Sequence, residues 1–176
     1  MMEDLSLHVL DIAENAVAAG STRIRIAVNE NEPRDRLTLQ VADNGRGMTD
    51  EERARALDPF FTTGPKRTGL GLPLLAQTAE LCGGRLRISS APGAGTRVFA
   101  LFLFSHVDRP PLTKMAQTLM TLVFAHPEID FAYRHTRNGL RFSLLRHGRK
   151  GGTADPADIA ALRAALRSGL ERIGAS

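Results

Sequence analysis

Apolar residues recur along this chain with two different spacings, which predict helices and strands in alternation. In residues 4–19 they stand three or four positions apart, as in an amphipathic helix, and Gly20 follows where such helices commonly end. Around residues 24–28 and 37–41 every second residue is apolar, which predicts two strands. The same reasoning predicts the remaining elements: a short helix from the capping box of Thr49 and Glu52 to about Leu57, a helix over 70–81, strands around 86–88 and 96–104, a helix over 113–124, a hairpin that turns at Asn138-Gly139, and a last helix capped by Asp155.

The strand predicted over residues 96–104 is apolar on both of its faces. One face carries Val98, Ala100, Phe102 and Phe104, and the other carries Phe99, Leu101 and Leu103. A strand that is apolar on both faces is normally buried on both. We therefore expect part of residues 110–176 to pack on this sheet or to extend it.

The composition indicates a globular protein that does not cross a membrane. Apolar residues make up 43% of the 176 residues, enough for one domain with an extension. No apolar run approaches the roughly 20 residues that span a bilayer, and the first residues lack the features of a secretory signal. Cys82 is the single cysteine, so we expect it in the core rather than in a disulfide. These features favour a cytoplasmic location.

Charge is distributed unevenly along the chain. Residues 1–105 hold 12 Lys and Arg against 13 Asp and Glu, whereas residues 106–176 hold 11 against 6. The basic segment 134–150 contains Arg134, Arg137, Arg141, Arg146, Arg149 and Lys150. It could bind an acidic protein or a nucleic acid, or it could only protect a strand edge from aggregation. Because the first part is close to neutral, a nucleic-acid partner is not expected.

The first residues with candidate chemistry lie on the predicted first helix. At 100° per residue, Asp4, His8, Asp11 and Asn15 form one polar stripe. The stripe is either a solvated helix face or a site in which Asn15 binds a metal ion and Asp11 orients a water molecule. Mg²⁺ would suit it, because amide and carboxylate oxygens are the ligands that Mg²⁺ accepts. His8 could hold Asp11 in place or simply be packed.

Two glycine-containing segments follow at the ends of predicted elements. Asp43 comes at the end of the second strand, where its carboxylate could accept a hydrogen bond from the amine of adenine, and glycines after it would let the backbone approach the ring. Residues 68–73 begin a helix with glycines, so free N–H groups and the positive end of the helix dipole could bind phosphate. Each segment taken alone is also typical of an ordinary loop.

Taken together, these segments resemble the GHKL superfamily, which includes gyrase, a large heat-shock chaperone, mismatch-repair ATPases and histidine kinases. Five segments occur in the order of that family: Asp11 to Ala16 resembles the N box, Asp43 to Met48 the first glycine box, Asp58 to Thr63 the F box, Gly69 to Leu72 the second glycine box, and Gly93 to Thr96 the last one. The resemblance implies the Bergerat fold, an α+β two-layer sandwich in which a mixed β-sheet has helices on one face. We expect this domain over residues 1–105, with a C-terminal α/β extension over residues 106–176.

The resemblance also implies ATP and Mg²⁺ as cofactors and gives roles to individual residues. Asn15 would bind Mg²⁺, Asp43 would recognise adenine, and Thr96 would assist Asp43 through a water molecule. The other expected ATP-binding residues are Gly45, Gly47, Met48, Phe61, Thr62, Thr63, Lys66, Thr68, Gly69, Leu70, Gly71 and Leu72, and residues 58–68 would form a lid.

The chain departs from the family pattern at the catalytic base. Members that hydrolyse ATP usually place Glu one turn before the metal-binding asparagine, and here Asp11, one methylene shorter, stands in that position. Asp11 is therefore the first candidate base, and Glu14, turned by about 60° to 100° from the stripe, is the second. This departure puts efficient hydrolysis in doubt.

These features lead to one main functional hypothesis and two alternatives. The main hypothesis is a stand-alone, histidine-kinase-like ATPase domain that phosphorylates or regulates a partner protein in trans, because only a few residues precede the N box. The partner, not identified by the sequence, could bind to the basic segment 134–150, and a homodimer is one open arrangement. The alternatives are an anti-sigma-type serine kinase and a non-catalytic module that senses ATP and ADP.

Overall fold

The computed structural model describes residues 4–59, 70–149 and 155–175. The elements in these ranges follow in the order α1 (Leu5–Ala18), β1 (Arg23–Asn31), a 3-10 turn (Glu32–Arg34), β2 (Arg36–Asp43), α2 (Asp50–Arg55), α3 (Gly71–Leu81), β3 (Arg85–Ser90), β4 (Thr96–Leu103), α4 (Met115–Ala125), β5 (Asp130–Arg137), β6 (Leu140–Arg146) and α5 (Pro156–Arg172). All the helices and strands predicted from the hydrophobic spacing are present. In the described ranges, no helix is long and apolar enough to span a bilayer.

The six strands form one mixed sheet in the order β3-β4-β2-β1-β5-β6. Neighbouring strands are antiparallel except β1 and β5, which run parallel. Two strands from the C-terminal part of the chain, β5 and β6, therefore widen the sheet at its β1 side. The mixed sheet with helices confirms the α+β two-layer sandwich expected from the sequence.

Helices α1, α3, α4 and α5 share one hydrophobic core with alternate residues of the strands. We call the side of the sheet that they pack on the covered face and the opposite side the open face. In β1, Ile24, Ile26 and Val28 are buried on the covered face, whereas Arg25 and Asn29 are exposed on the open face. The period of two in the sequence thus separates two faces with different surroundings.

The second apolar side of β4 is not buried as the sequence led us to expect. It lies on the open face, where Phe99 and Leu101 are half-buried and Leu103 is 39% exposed. Residues after 110 do extend the sheet, through β5 and β6, but their helices join the core on the covered face. Since no described helix packs on the open face, the expectation of burial on both sides was wrong.

Asp4 ties the C-terminal part of the chain to α1. It is the N-cap of this helix, and its carboxylate accepts hydrogen bonds from the backbone and hydroxyl groups of Ser6 and Thr113. Burial raises the pKa of the Asp4 carboxyl, but these hydrogen bonds outweigh it and hold the pKa below its ordinary value. Asp4 is therefore a buried structural cap and not part of an exposed polar stripe.

Candidate functional site

Helix α1 brings Asp11 against the beginning of α3. A Cβ added at Gly71 would lie 3.2 Å from the Asp11 Cβ and 3.3 Å from its Oδ2, so a larger residue would press on this carboxylate. One turn further along α1, the side chain of Asn15 is exposed. Two segments that are 60 residues apart in the chain therefore meet, and both belong to the predicted site.

The N-terminus of α3 has the features expected of an anion site. The N-cap residue is Leu70, and no side chain caps the helix with a hydrogen bond. The first amides of a helix have no partner within the helix, and the dipole places partial positive charge there. The half-buried Leu72 packs against the core and fixes the helix. Backbone donors and a carboxylate thus lie side by side at Gly71 and Asp11.

Asp43 ends β2 next to the C-terminal end of α1. Its Oδ1 accepts hydrogen bonds from the Ser21 hydroxyl at 3.0 Å and from the Gly45 N–H at 2.8 Å. Both bonds use the same oxygen, so they fix the carboxylate, and within the described ranges Oδ2 accepts no hydrogen bond. The sequence did not point to Ser21, and its position directly after the helix-ending Gly20 was the only available signal.

The loop after Asp43 is locked to the turn between β3 and β4. Gly47 has a φ of +70°, and a Cβ there would overlap the Ala91 carbonyl oxygen. Gly95 has a φ of +77°, and a Cβ there would overlap the Asp43 carbonyl oxygen. These two glycines are required because two backbone segments touch.

Gly45 also packs against its own chain. A Cβ at this position would lie 2.7 Å from Ser21 Oγ and 2.9 Å from the Ala19 carbonyl oxygen. The sequence suggested that Gly45 and Gly47 make room for adenine, whereas the structure gives the packing of the loop as the reason for glycine. Their part in lining a base stays a prediction.

Ser90 links the first glycine segment to Thr96. Its hydroxyl accepts a hydrogen bond from the Met48 N–H at 2.9 Å, donates to the Gly95 carbonyl at 2.8 Å, and lies 2.9 Å from Thr96 Oγ1. Ser90 was missed in the sequence because serine in a short strand is common. Thr96 lies at the expected end of the sheet, and its contact is with Ser90 rather than directly with Asp43.

Glu14 lies on a different side of α1 from Asp11. Its Oε1 is 3.0 Å from His126 Nε2, just after α4. A carboxylate bonded to this imidazole at the interface with α4 is poorly placed to act beside Gly71. We therefore withdraw Glu14 as the second candidate base.

His8 is buried in the core and does not hold Asp11. Its side chain is 1% exposed, and neither ring nitrogen has a hydrogen-bond partner in the described part of the chain. Loss of solvation lowers its pKa to about 4. Its place on the polar stripe was misleading because the helix lies deeper in the core than the sequence suggested.

Several predicted residues fall outside the described ranges. These are Phe61, Thr62, Thr63, Lys66, Thr68 and Gly69, with most of the expected lid over residues 58–68. In the described part of the chain, no three His, Cys, Asp or Glu side chains are grouped so as to hold a metal ion. Cys82 is buried, as predicted, and burial raises the pKa of its thiol.

Much of the basic segment 134–150 is bonded within the protein. Arg137 contacts Glu30 and Glu32, Arg146 donates to the Pro127 carbonyl, and Arg149 pairs with Asp158. Lys150 lies outside the described ranges. Only Arg134 and Arg141 are directed to the open face, so this segment by itself is a smaller cationic surface than its composition indicated.

Comparison with known proteins identifies the same part of the chain. Residues 3–106 match the family described as "Histidine kinase-, DNA gyrase B-, and HSP90-like ATPase". The alginate biosynthesis sensor protein KinB of Pseudomonas aeruginosa is 35% identical over 97 residues, which are 53% of this chain and 16% of that protein. The sensor protein kinase FleS of the same species is 42% identical over 88 residues, 50% of this chain and 22% of that protein. The matched region is thus less than a quarter of each sensor protein.

Solved structures share the fold at low sequence identity. The ADP-complexed ATPase domain of MutL from Aquifex aeolicus superposes with a TM-score of 0.58 and 14% identity, covering 93% of this chain and 70% of that one. The N-terminal domain of a DNA repair protein gives a TM-score of 0.59 and 16% identity, covering 84% and 54%. Both coverages extend beyond the matched residues 3–106, so the likeness in fold includes part of the C-terminal region.

Proposed function

This chain belongs to the family of histidine kinase-, DNA gyrase B- and HSP90-like ATPases, and from that premise we propose that it binds ATP beside α1 and α3 and acts in trans on a partner protein. The observation that carries the proposal is the meeting of three segments along α1. Asp11 lies against Gly71 at the start of α3, and Asp43 is fixed by Ser21 just beyond the end of α1. A phosphate group and an adenine amine would each find a fitting partner there.

The adenine would be recognised by Asp43. The two internal hydrogen bonds hold Oδ1, and Oδ2 would accept a hydrogen bond from the exocyclic amine. The phosphates would lie at the amides that begin α3, where the helix dipole favours negative charge. The expected lid residues would complete this site.

The donor set beside Gly71 fits Mg²⁺ better than a transition metal. Asn15 offers an amide oxygen and Asp11 a carboxylate, while no cluster of three His, Cys, Asp or Glu exists in the described ranges. Mg²⁺ commonly binds through one or two protein oxygens together with substrate phosphates. When bound, it would neutralise charge that develops on the phosphates.

The reaction would be transfer of the γ-phosphoryl group to the partner, in which positioning and charge stabilisation do most of the work. Asp11 is the remaining candidate base, because Glu14 is bonded to His126. The short Asp11 side chain also supports a second candidate function. In that case the protein binds ATP with little turnover and changes its affinity for the partner with the nucleotide state.

The nucleotide site can be tested with one substitution at Asp43 and a matched control. Asp43→Asn keeps Oδ1 for Ser21 and Gly45 and converts only the outer acceptor into a donor. We expect ATP affinity, measured by calorimetry with Mg²⁺, to fall by about 1–3 kcal/mol, or about 5- to 150-fold. The control Asp50→Asn makes the same chemical change at a surface carboxylate that is 92% exposed, and it should leave affinity unchanged. Normal ATP binding by Asp43→Asn would show that the adenine is placed wrongly.

Action on a partner needs a separate measurement. The chain is incubated with Mg²⁺ and γ-labelled ATP, with and without lysate of its host, and released ADP and labelled protein are measured. A labelled protein supports phosphoryl transfer, and labelling of a sigma-factor antagonist would favour the anti-sigma-type alternative. If no protein is labelled although ATP binds, the kinase function fails, and partner affinities in ATP and ADP then test the sensor function.

A further inference from the structure

The open face carries three transverse rows of side chains that the strand register sets side by side. The rows, read from β3 to β6, are Arg85, Leu101, Thr38, Asn29, Thr136 and Arg141; Arg87, Phe99, Gln40, Ala27, Arg134 and Ser143; and Ser89, Arg97, Ala42, Arg25, Ala132 and Leu145. Each row contains two arginines and no acidic residue. We call these three rows the arginine face.

All six arginines of this face are exposed, and none of their side chains has a hydrogen bond or an ion pair in the described part of the chain. They are Arg25, Arg85, Arg87, Arg97, Arg134 and Arg141. A seventh position, Arg23, lies beyond the rows and approaches Asp130 at 4.0 Å. Surfaces of soluble proteins usually mix both signs of charge. Six arginines without acidic neighbours in these rows therefore form a surface that is complementary to an anionic partner.

The net charge of residues 1–105 did not indicate this surface. Four of the six arginines belong to that part, which is close to neutral as a whole. Their acidic counterparts lie elsewhere, for example on α2 with Asp50, Glu51 and Glu52. The near-neutral balance of residues 1–105 therefore does not by itself exclude a nucleic-acid partner for this face.

We propose that the arginine face binds single-stranded nucleic acid. With strands about 4.8 Å apart and residues about 3.3 Å apart along each strand, the face measures about 24 by 13 Å, which suits an extended polyanion rather than a single phosphate. Guanidinium groups bind phosphate oxygens in pairs of hydrogen bonds, and no lysine occurs in the rows. Polar side chains such as Gln40, Thr38 and Asn29 lie between the arginines and can bond to bases and sugars.

A single strand fits this face better than a duplex or an acidic protein. The surface is a six-stranded sheet about 24 Å across, too wide to enter a major groove of about 12 Å, and no described helix lies on it. Phe99 lies half-buried in the middle row, beside Arg87 on β3, where an unpaired base can stack on it. A stretch of acidic residues, in contrast, has no aromatic base to stack on Phe99 and would use only the arginines. A shallow depression of about 380 Å³ lies beside Phe99 and is lined by Gln40, Arg134 and Arg141, among others.

The experiment measures fluorescence anisotropy of a labelled 20-nucleotide single-stranded DNA with the full chain, at 50 to 200 mM salt. Six phosphate contacts predict a slope of about −4 in log affinity against log salt, and three lost contacts reduce it to about −2. The test variant is R25Q/R87Q/R134Q, which should weaken binding at 50 mM salt by about tenfold or more. The matched control, R163Q/R167Q/R172Q, removes three exposed arginines from α5 and should bind like the wild type.

Phe99→Leu separates base stacking from simple charge attraction. This variant should bind the single strand several-fold more weakly, yet bind an oligomer of glutamate as the wild type does. Equal or tighter binding of the glutamate oligomer by the wild type would assign the face to an acidic protein and overturn the proposal. Failure to bind the single strand at 50 mM salt, or equal losses in the test and control variants, would also overturn it.

The arginine face and the ATP site lie on different sides of the sheet, so the two proposals can fail separately. Asp43→Asn should bind the single strand normally, and R25Q/R87Q/R134Q should bind ATP normally.

Discussion

The two faces of the sheet differ in whether their polar side chains are paired by hydrogen bonds. On the covered face, Glu30, His135 and Tyr133 are buried and form one network, with His135 Nε2 2.7 Å from Glu30 Oε1 and Nδ1 2.7 Å from the Tyr133 hydroxyl. Burial, together with the nearby Glu30 charge, raises the pKa of the Tyr133 phenol, which therefore stays neutral. On the open face, six arginines have no partner in the described part of the chain.

This difference shows which constraints stability imposes. A buried polar group without a partner costs stability, so a polar residue on the covered face needs a bonding network. An arginine on the open face remains solvated and costs little whether paired or not. The stability of the fold therefore constrains which polar residues occur on the covered face. On the open face, solubility or a binding partner determines how the charges are arranged.

The largest expected effect on stability concerns the turn between β3 and β4, which contacts the backbone of Asp43. Gly95→Ala would place a Cβ onto the Asp43 carbonyl at a φ of +77°, and we expect a loss of at least about 4 kcal/mol in the free energy of unfolding. Gly93 has a φ of +74° with nothing within 4 Å, so Gly93→Ala should cost only about 1–2 kcal/mol. Denaturant unfolding of both variants measures the difference, and equal losses would mean that backbone strain alone requires glycine there.

Adjacent residues of β5 compare the two faces directly. His135→Leu leaves Glu30 and the Tyr133 hydroxyl buried without their shared partner, and we expect a loss of about 3 kcal/mol. Arg134→Gln changes the exposed neighbour on the open face and should alter stability by no more than about 0.5 kcal/mol. Chemical denaturation at pH 7 distinguishes them. A cost for Arg134→Gln as large as that for His135→Leu would contradict the division of roles.

His8 is the exception on the covered side, and it predicts a dependence of stability on pH. Its pKa is lowered by burial to about 4 in the folded chain, against about 6.5 in the unfolded chain. The unfolded chain therefore binds a proton first as the pH falls, and stability is lost between about pH 6.5 and 4, by roughly 2–3 kcal/mol.

His8→Leu serves as the control for this pH dependence. It removes the titrating group together with two ring nitrogens that lack partners in the described part of the chain. This variant should therefore be as stable as the wild type at pH 7 and lose less stability toward pH 4. An identical pH profile in the two proteins would show that His8 is not the group responsible.

The sequence predicted the elements and the order of the site segments because both are local. A period of 3.6 or 2 in the apolar residues needs no knowledge of contacts, and the capping box of Thr49 and Glu52 was confirmed with both of its hydrogen bonds. The predicted C-terminal glycine of α1, Gly20, has the expected positive φ. The segments that carry the family resemblance could also be identified directly from the sequence, because each is a short continuous stretch.

Contacts between distant segments could not be read in the same way. The polar stripe of α1 was expected to be exposed, yet Asp4 caps the helix through Ser6 and is also bonded to Thr113, and His8 lies in the core. Glu14 was a candidate base until His126, 112 residues later, was found to bond to it. The depth of a helix in the core depends on what packs on it, and the helix itself does not encode that depth.

The sequence by itself determined that this chain forms a mixed sheet with helices and carries the segments of an ATPase family. It also determined which residues alternate along each strand, and hence that Arg85 and Arg87 lie on the same side of β3. Only the tertiary structure decided which face is covered, and that β5 extends the sheet beside β1 rather than shielding Phe99 and Leu101. The reason is physical, since alternation follows from the geometry of each strand, whereas the pairing of strands depends on the free energy of the whole core.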